Sequence, residues 1–102
     1  MYVVLVNYTA PLADIDNALA DHSDWIARHY ESGDFIAAGR RDPHTGGVII
    51  ARPMVRGQLD AILATDPYAI QRLVRYEVIE FQALLTIPEL AHYADHLAPT
   101  RD

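Results

Sequence analysis

Apolar and polar positions recur along this chain in two rhythms, and the switches between them mark its elements. Tyr2 to Tyr8 (YVVLVNY) is dense in β-branched and aromatic residues and predicts a buried strand. Thr9-Ala10-Pro11 supplies a turn, and a helical rhythm then runs to about Ser32, where Gly33 is a natural stop. At about 100° per residue Ile15, Leu19, Ile26 and Tyr30 share one face of that helix. His22 falls in the middle of this stripe, where a leucine would be expected, and His29 falls close beside it.

Phe35 to Gly39 (FIAAG) reads as a second, short strand, and Val48 to Arg52 (VIIAR) as a third. The stretch Arg40-Arg41-Asp42-Pro43-His44-Thr45-Gly46-Gly47 is a turn by composition, joining the two as a hairpin. Leu59, Ile62 and Leu63 mark a shorter helix closing at Thr65. Asp66 suits an N-cap and Pro67 a first helical position, opening another turn or two to about Leu73. Val74 to Leu84 alternates in two phases, Val74, Tyr76 and Val78 and then Ile79, Phe81 and Ala83, a slip that predicts a β-bulge. Thr86-Ile87-Pro88-Glu89 opens a final short helix with Leu90, Tyr93 and Leu97 on one side.

The order βαββαβ with a helical tail is the ferredoxin-like pattern of an α+β domain, a core over residues 1–85 and a tail over 86–102. Two helices cover one sheet face. Val and Ile occupy both strand phases, so the other face needs cover too, and a second copy of the sheet predicts a homodimer.

Composition narrows the function classes. At 102 residues, 51% hydrophobic and 22% charged, the chain is one globular domain. A net charge of −6 argues against nucleic acid and against anionic membrane surfaces. No apolar run approaches the ~20 residues of a membrane span, and the opening lacks a charged-then-apolar leader pattern, so a cytoplasmic location is expected. The chain has no cysteine, which removes thiolate chemistry and Cys-ligated metals. All eight basic side chains are arginine, so lysine Schiff-base chemistry and pyridoxal phosphate are excluded. His, Asp, Glu, Tyr and Arg remain, the residue set of acid–base work.

His22 and Asp66 are the leading candidates for that work. An imidazole exchanges a proton near neutral pH, and a carboxylate fixes its tautomer and stabilises its charged form. The plainer readings are a satisfied core histidine and an ordinary Asp-Pro helix start. Arg40, Arg41 and His44 share one turn, where they are either an anion-attracting group or a solvated loop. Tyr68 either lines a pocket or packs, and Trp25 reads as packing. Gly46-Gly47 reads as backbone freedom in the hairpin. His92 and His96 stand four apart but lack a third ligand, so neither a metal nor another cofactor is expected.

Several segments together resemble the YciI-like (YCII-related) family over roughly Tyr2 to Leu85. They are Ala20-Asp21-His22 with Trp25-Ile26-Ala27-Arg28-His29-Tyr30, Gly33-Asp34-Phe35-Ile36-Ala37-Ala38-Gly39-Arg40, and Asp42-Pro43-His44-Thr45-Gly46-Gly47-Val48-Ile49-Ile50-Ala51. Ala64-Thr65-Asp66-Pro67-Tyr68 and Tyr76-Glu77-Val78-Ile79-Glu80-Phe81 complete the set. The resemblance implies a ferredoxin-like domain paired into a dimeric α+β barrel, with a His–Asp dyad on His22 and Asp66. It also implies a small organic substrate, one branch of the family being similar to lyases that remove HCl from chlorinated hydroxyquinol-type rings. Two positions depart from the family pattern: Ala38, where a small polar residue is often found, and His44, where arginine often precedes Thr-Gly-Gly. The expected activity is therefore a lyase-like elimination or isomerisation on a hydroxylated or quinonoid molecule. Its alternative is a non-catalytic dimeric module that binds a small ligand.

Overall fold

The computed structural model describes residues 1–94. Its elements are β1 (Tyr2–Tyr8), α1 (Leu12–Glu31), β2 (Phe35–Arg40), β3 (Gly46–Ala51), α2 (Arg56–Leu63), α3 (Pro67–Ile70) and β4 (Val74–Glu80), followed by a 3₁₀ helix at Pro88–Tyr93. The strands make one four-stranded antiparallel sheet in the order β2-β3-β1-β4. This is the α+β, ferredoxin-like arrangement that the element order predicts.

Strand alternation decides where the core sits. In central β1 the residues Tyr2, Val4 and Val6 are buried, while Val3 and Leu5 on the opposite face are half-buried. The buried set meets Ile49 and Ala51 of β3, Ile15, Ala18 and Trp25 of α1, Leu59 and Leu63 of α2, and Tyr68 of α3. Each large apolar side chain so enclosed stabilises the fold by about 1.5–3 kcal/mol. Gly33, at φ 86°, follows α1 in the left-handed conformation that a glycine adopts without strain, and so turns the chain into β2.

Several expectations change. The buried row of α1 is Ile15, Ala18 and Trp25; Leu19 and Tyr30 are exposed, Tyr30 at 64%. The apolar stripe is broad enough that periodicity alone leaves its centre free by one residue, and packing against the sheet selects it. The turn between β2 and β3 is shorter than its composition implies, because Arg40, Gly46 and Gly47 all enter strands. A Cβ on Gly46 would lie 1.9 Å from the Val6 carbonyl oxygen, so close strand approach, not hairpin freedom, requires glycine there.

β4 is regular and ends at Glu80. Its register with β1 runs unbroken from Tyr8↔Val74 to Tyr2↔Glu80, and the pairing then uses up β1. The predicted bulge in β4 is absent; the register shift lies in β2, between Phe35 and Ala37. Within the tail Pro88–Tyr93 form a 3₁₀ helix, and none of those six residues is buried. Leu97 and His96 lie outside the described residues. No helix among the described residues is long and apolar enough to cross a membrane.

Candidate active site

Two rungs tie α1 to the α2–α3 junction. His22 Nδ1 lies 2.8 Å from Asp66 Oδ1, and Trp25 Nε1 donates to Thr65 Oγ1 at 2.9 Å. The spacing explains the pair: Trp25 is close to one turn beyond His22, and Thr65 directly precedes Asp66. Thr65 in turn donates to the Ile62 carbonyl at 2.6 Å, which anchors the second rung to the end of α2. The two residues read from sequence as a candidate pair, 44 positions apart, therefore meet directly.

Asp66 is fully buried, and its carboxylate is surrounded by donors. Oδ1 accepts from the Tyr68 backbone N–H at 2.9 Å, the N-cap bond that starts α3. It also faces His22 Nδ1, and Oδ2 accepts from the Tyr76 hydroxyl at 2.5 Å. Capping and pairing thus coexist on one side chain. An ionised carboxylate only accepts, so the bond to His22 calls for the imidazole proton on Nδ1. Nε2 is then the nitrogen left for the cavity that His22 lines.

Aromatic packing fixes the imidazole plane. Tyr68 stacks on His22 with ring centroids 3.9 Å apart and planes 7° apart, and Trp25 lies 5.7 Å away. The Tyr68 hydroxyl is buried, and its polar neighbour is the Tyr8 hydroxyl. Burial, reinforced by the nearby Tyr8 and Asp66, pushes its phenol up to about 12. Burial also raises Tyr76 well above the ordinary phenol value, with the bond to Asp66 and its charge adding to the effect.

A cavity of about 240 Å³ opens between α1 and the β1–β3–β2 part of the sheet. His22, Tyr68 and Tyr8 bring polar groups to it, Leu19 and Ile26 line it with apolar surface, and Arg40 supplies a cation. The Tyr8 phenol is raised by burial, an effect opposed by the charge of Arg40. The space suits a small organic molecule with an apolar body and a few oxygen substituents.

The remaining candidates separate. Arg40 lines the cavity, but Arg41 donates to Asn7 Oδ1 at 3.0 Å and is not among the lining residues. His44 is also outside the lining; its Nε2 lies 3.1 Å from the Tyr8 hydroxyl and so braces a residue that does line it. Periodicity missed both Tyr8 and Tyr76. The available signal was a polar tip on a buried strand face, since a buried tyrosine hydroxyl usually finds a partner. His29 belongs to a separate cluster at the end of α1, where Asp34 accepts from Ser32 and Arg52 and lies 3.1 Å from His29 Nδ1. No group of three or more metal-ligating side chains occurs among the described residues.

Fold and site together define a ferredoxin-like α+β domain with a histidine–carboxylate pair beside a small cavity. The chain belongs to the YCII-related domain family, which matches residues 1–82. Among solved structures it is similar to a 5-chloro-2-hydroxyhydroquinone dehydrochlorinase from Burkholderia phenoliruptrix AC1100, in complex with 2,5-dihydroxybenzoquinone. That likeness has a TM-score of 0.62 at 17% identity and covers 80% of this chain and 94% of the other, and it concerns the fold. No curated protein matches the chain.

Proposed function

We propose that this protein is a small-molecule enzyme in which His22 moves a proton and Asp66 orients and charge-balances it, in a lyase-like elimination or an isomerisation. The observation that carries this reading is the 2.8 Å contact between His22 Nδ1 and the fully buried Asp66, beside a cavity that His22 lines. On a chlorinated hydroxyquinol, Nε2 takes a ring-hydroxyl proton and returns it to the chlorine-bearing carbon; a second hydroxyl proton then passes to Nε2 as chloride departs with its bonding pair and the ring becomes a quinone. The imidazolium so formed is stabilised by the Asp66 carboxylate.

The substrate class follows from the lining. Tyr8 and Tyr68 bring neighbouring hydroxyls to the lining, donors suited to a ligand oxygen. Arg40 favours an anionic substituent. A hydroxylated or quinonoid ring meets both demands, and the dehydrochlorinase with its bound dihydroxybenzoquinone supports that class. Homodimerisation through the half-buried face carrying Val3, Leu5, Val48 and Ile50 belongs to the same proposal.

The test is chloride release from 5-chloro-2-hydroxyhydroquinone and related chlorinated or plain hydroxyquinols, with a parallel screen for isomerised product. The His22→Ala variant should lose turnover while keeping its circular dichroism and elution volume. Full activity in that variant refutes the assignment. Calorimetric binding of 2,5-dihydroxybenzoquinone without turnover of any hydroxyquinol favours the ligand-binding alternative.

A further inference from the structure

We infer that Tyr76 is a positioning residue for the His22–Asp66 pair, its hydroxyl holding Asp66 Oδ2 so that Oδ1 stays on the imidazole and Nε2 stays open to the cavity. The inference deepens the acid–base reading and rests on it, because it assigns to β4 a residue acting on the proposed proton carrier through the carboxylate.

The strand phase delivers the residue. Val74, Tyr76 and Val78 share the helix-facing side of β4, and Tyr76 is paired with Val6 of β1. From there the hydroxyl reaches Asp66 at 2.5 Å. Among the described residues the Asp66 carboxylate has three donors, divided unequally: Oδ1 serves both His22 and the Tyr68 N–H, and Tyr76 serves Oδ2. Without Tyr76, Oδ2 would face no donor in a site closed to solvent. The carboxyl group would then turn about Cβ–Cγ to share its two remaining donors and draw Oδ1 away from the imidazole. The phenol is suited to the task because it stays protonated: burial and the adjacent carboxylate both hold it above its ordinary value. The bond therefore runs in one direction, from phenol to carboxylate.

The experiment reads the imidazole tautomer by long-range proton–nitrogen NMR on histidine-labelled protein, with no substrate present. In the unaltered chain, neutral His22 should be almost wholly the Nδ1–H tautomer, with a low-field Nδ1 proton. Tyr76→Phe should turn this into a mixture and shift the proton upfield. Replacing Tyr76 with 3-fluorotyrosine or 3,5-difluorotyrosine retains the hydroxyl and should retain the Nδ1–H tautomer. The Nδ1 proton should then move upfield stepwise, as the more acidic phenol draws more charge from Asp66. A Tyr76→Phe protein with the unaltered tautomer and resonance overturns the inference. So does a fluorotyrosine series with no trend, which covers the case of a phenylalanine variant that does not fold. Absence of turnover toward every hydroxyquinol would count against the enzymatic reading alone, since the tautomer is measured without catalysis.

Discussion

Replacing Asp66 with asparagine alters a single atom of a fully buried side chain, and the hydrogen-bond inventory around it gives the consequence. The carboxylate serves three donors: His22 Nδ1, the Tyr68 N–H and the Tyr76 hydroxyl. An amide has one oxygen and brings two hydrogens of its own. With its oxygen at the Oδ1 position it keeps Tyr68 and His22, but its NH₂ faces Tyr76 and leaves the phenol proton without an acceptor. Turned the other way, the NH₂ meets the Tyr68 N–H and drives the imidazole proton onto Nε2, the wrong atom for a base. Either arrangement strands one buried donor and removes a charge-assisted bond, at a cost of about 2–4 kcal/mol. For a domain of this length that lowers the melting temperature by on the order of 10–25 °C. Scanning calorimetry and urea titration read it, with an unchanged urea slope. The sharper arm is the double variant Asp66→Asn/Tyr76→Phe. With the carboxylate already replaced, Tyr76→Phe no longer removes a charge-assisted bond, so its cost in the Asp66→Asn background should be about 1–2 kcal/mol smaller than in the unaltered chain. A single variant melting within about 2 °C of the unaltered chain refutes the inventory. So does a double variant whose losses simply add.

Three further outcomes follow from the fold. Gly46→Ala places a Cβ 1.9 Å from the Val6 carbonyl oxygen, backbone against backbone, and should cost at least about 2 kcal/mol in urea titration. Gly47→Ala, whose Cβ would stand 3.0 Å from the Gly39 oxygen, should cost visibly less. Arg72 sits at φ 58° just after α3, where its N–H bonds the Ala69 carbonyl and the next N–H, from Leu73, bonds that of Tyr68. Arg72→Gly should therefore stabilise the fold by roughly 0.5–1 kcal/mol in thermal denaturation, and a loss would contradict the left-handed cap. Burial works to raise Asp34, but hydrogen bonds from His29, Ser32 and Arg52 outweigh it and hold the carboxyl below the ordinary carboxylate value. A folded value below the unfolded one means stability that is present above about pH 4 and lost as pH falls through the folded value. The stability advantage of the unaltered chain over Asp34→Asn should shrink across that acid window, and a gap that widens there would reverse the sign.

Hydrophobic rhythm along the chain was enough to determine the strands, the long helix and their order, because each depends on which side chains of one segment must leave water. The same rhythm flagged His22 as a polar residue on an apolar stripe, and Asp-Pro flagged Asp66 as a helix start. It could not show where β4 stops, since that depends on the length of β1 opposite it. Nor could it show that Gly46 is required by the approach of Val6 from another strand. The partners of Asp66 come from α1, α3 and β4, and only the stacking of helices on sheet brings a phenol, an imidazole and a carboxylate together. The same packing placed Arg40 and Tyr8 on the cavity and kept Arg41 and His44 off its lining. Periodicity reports burial, which is a property of one element, whereas hydrogen-bond partnership is a property of several elements in contact.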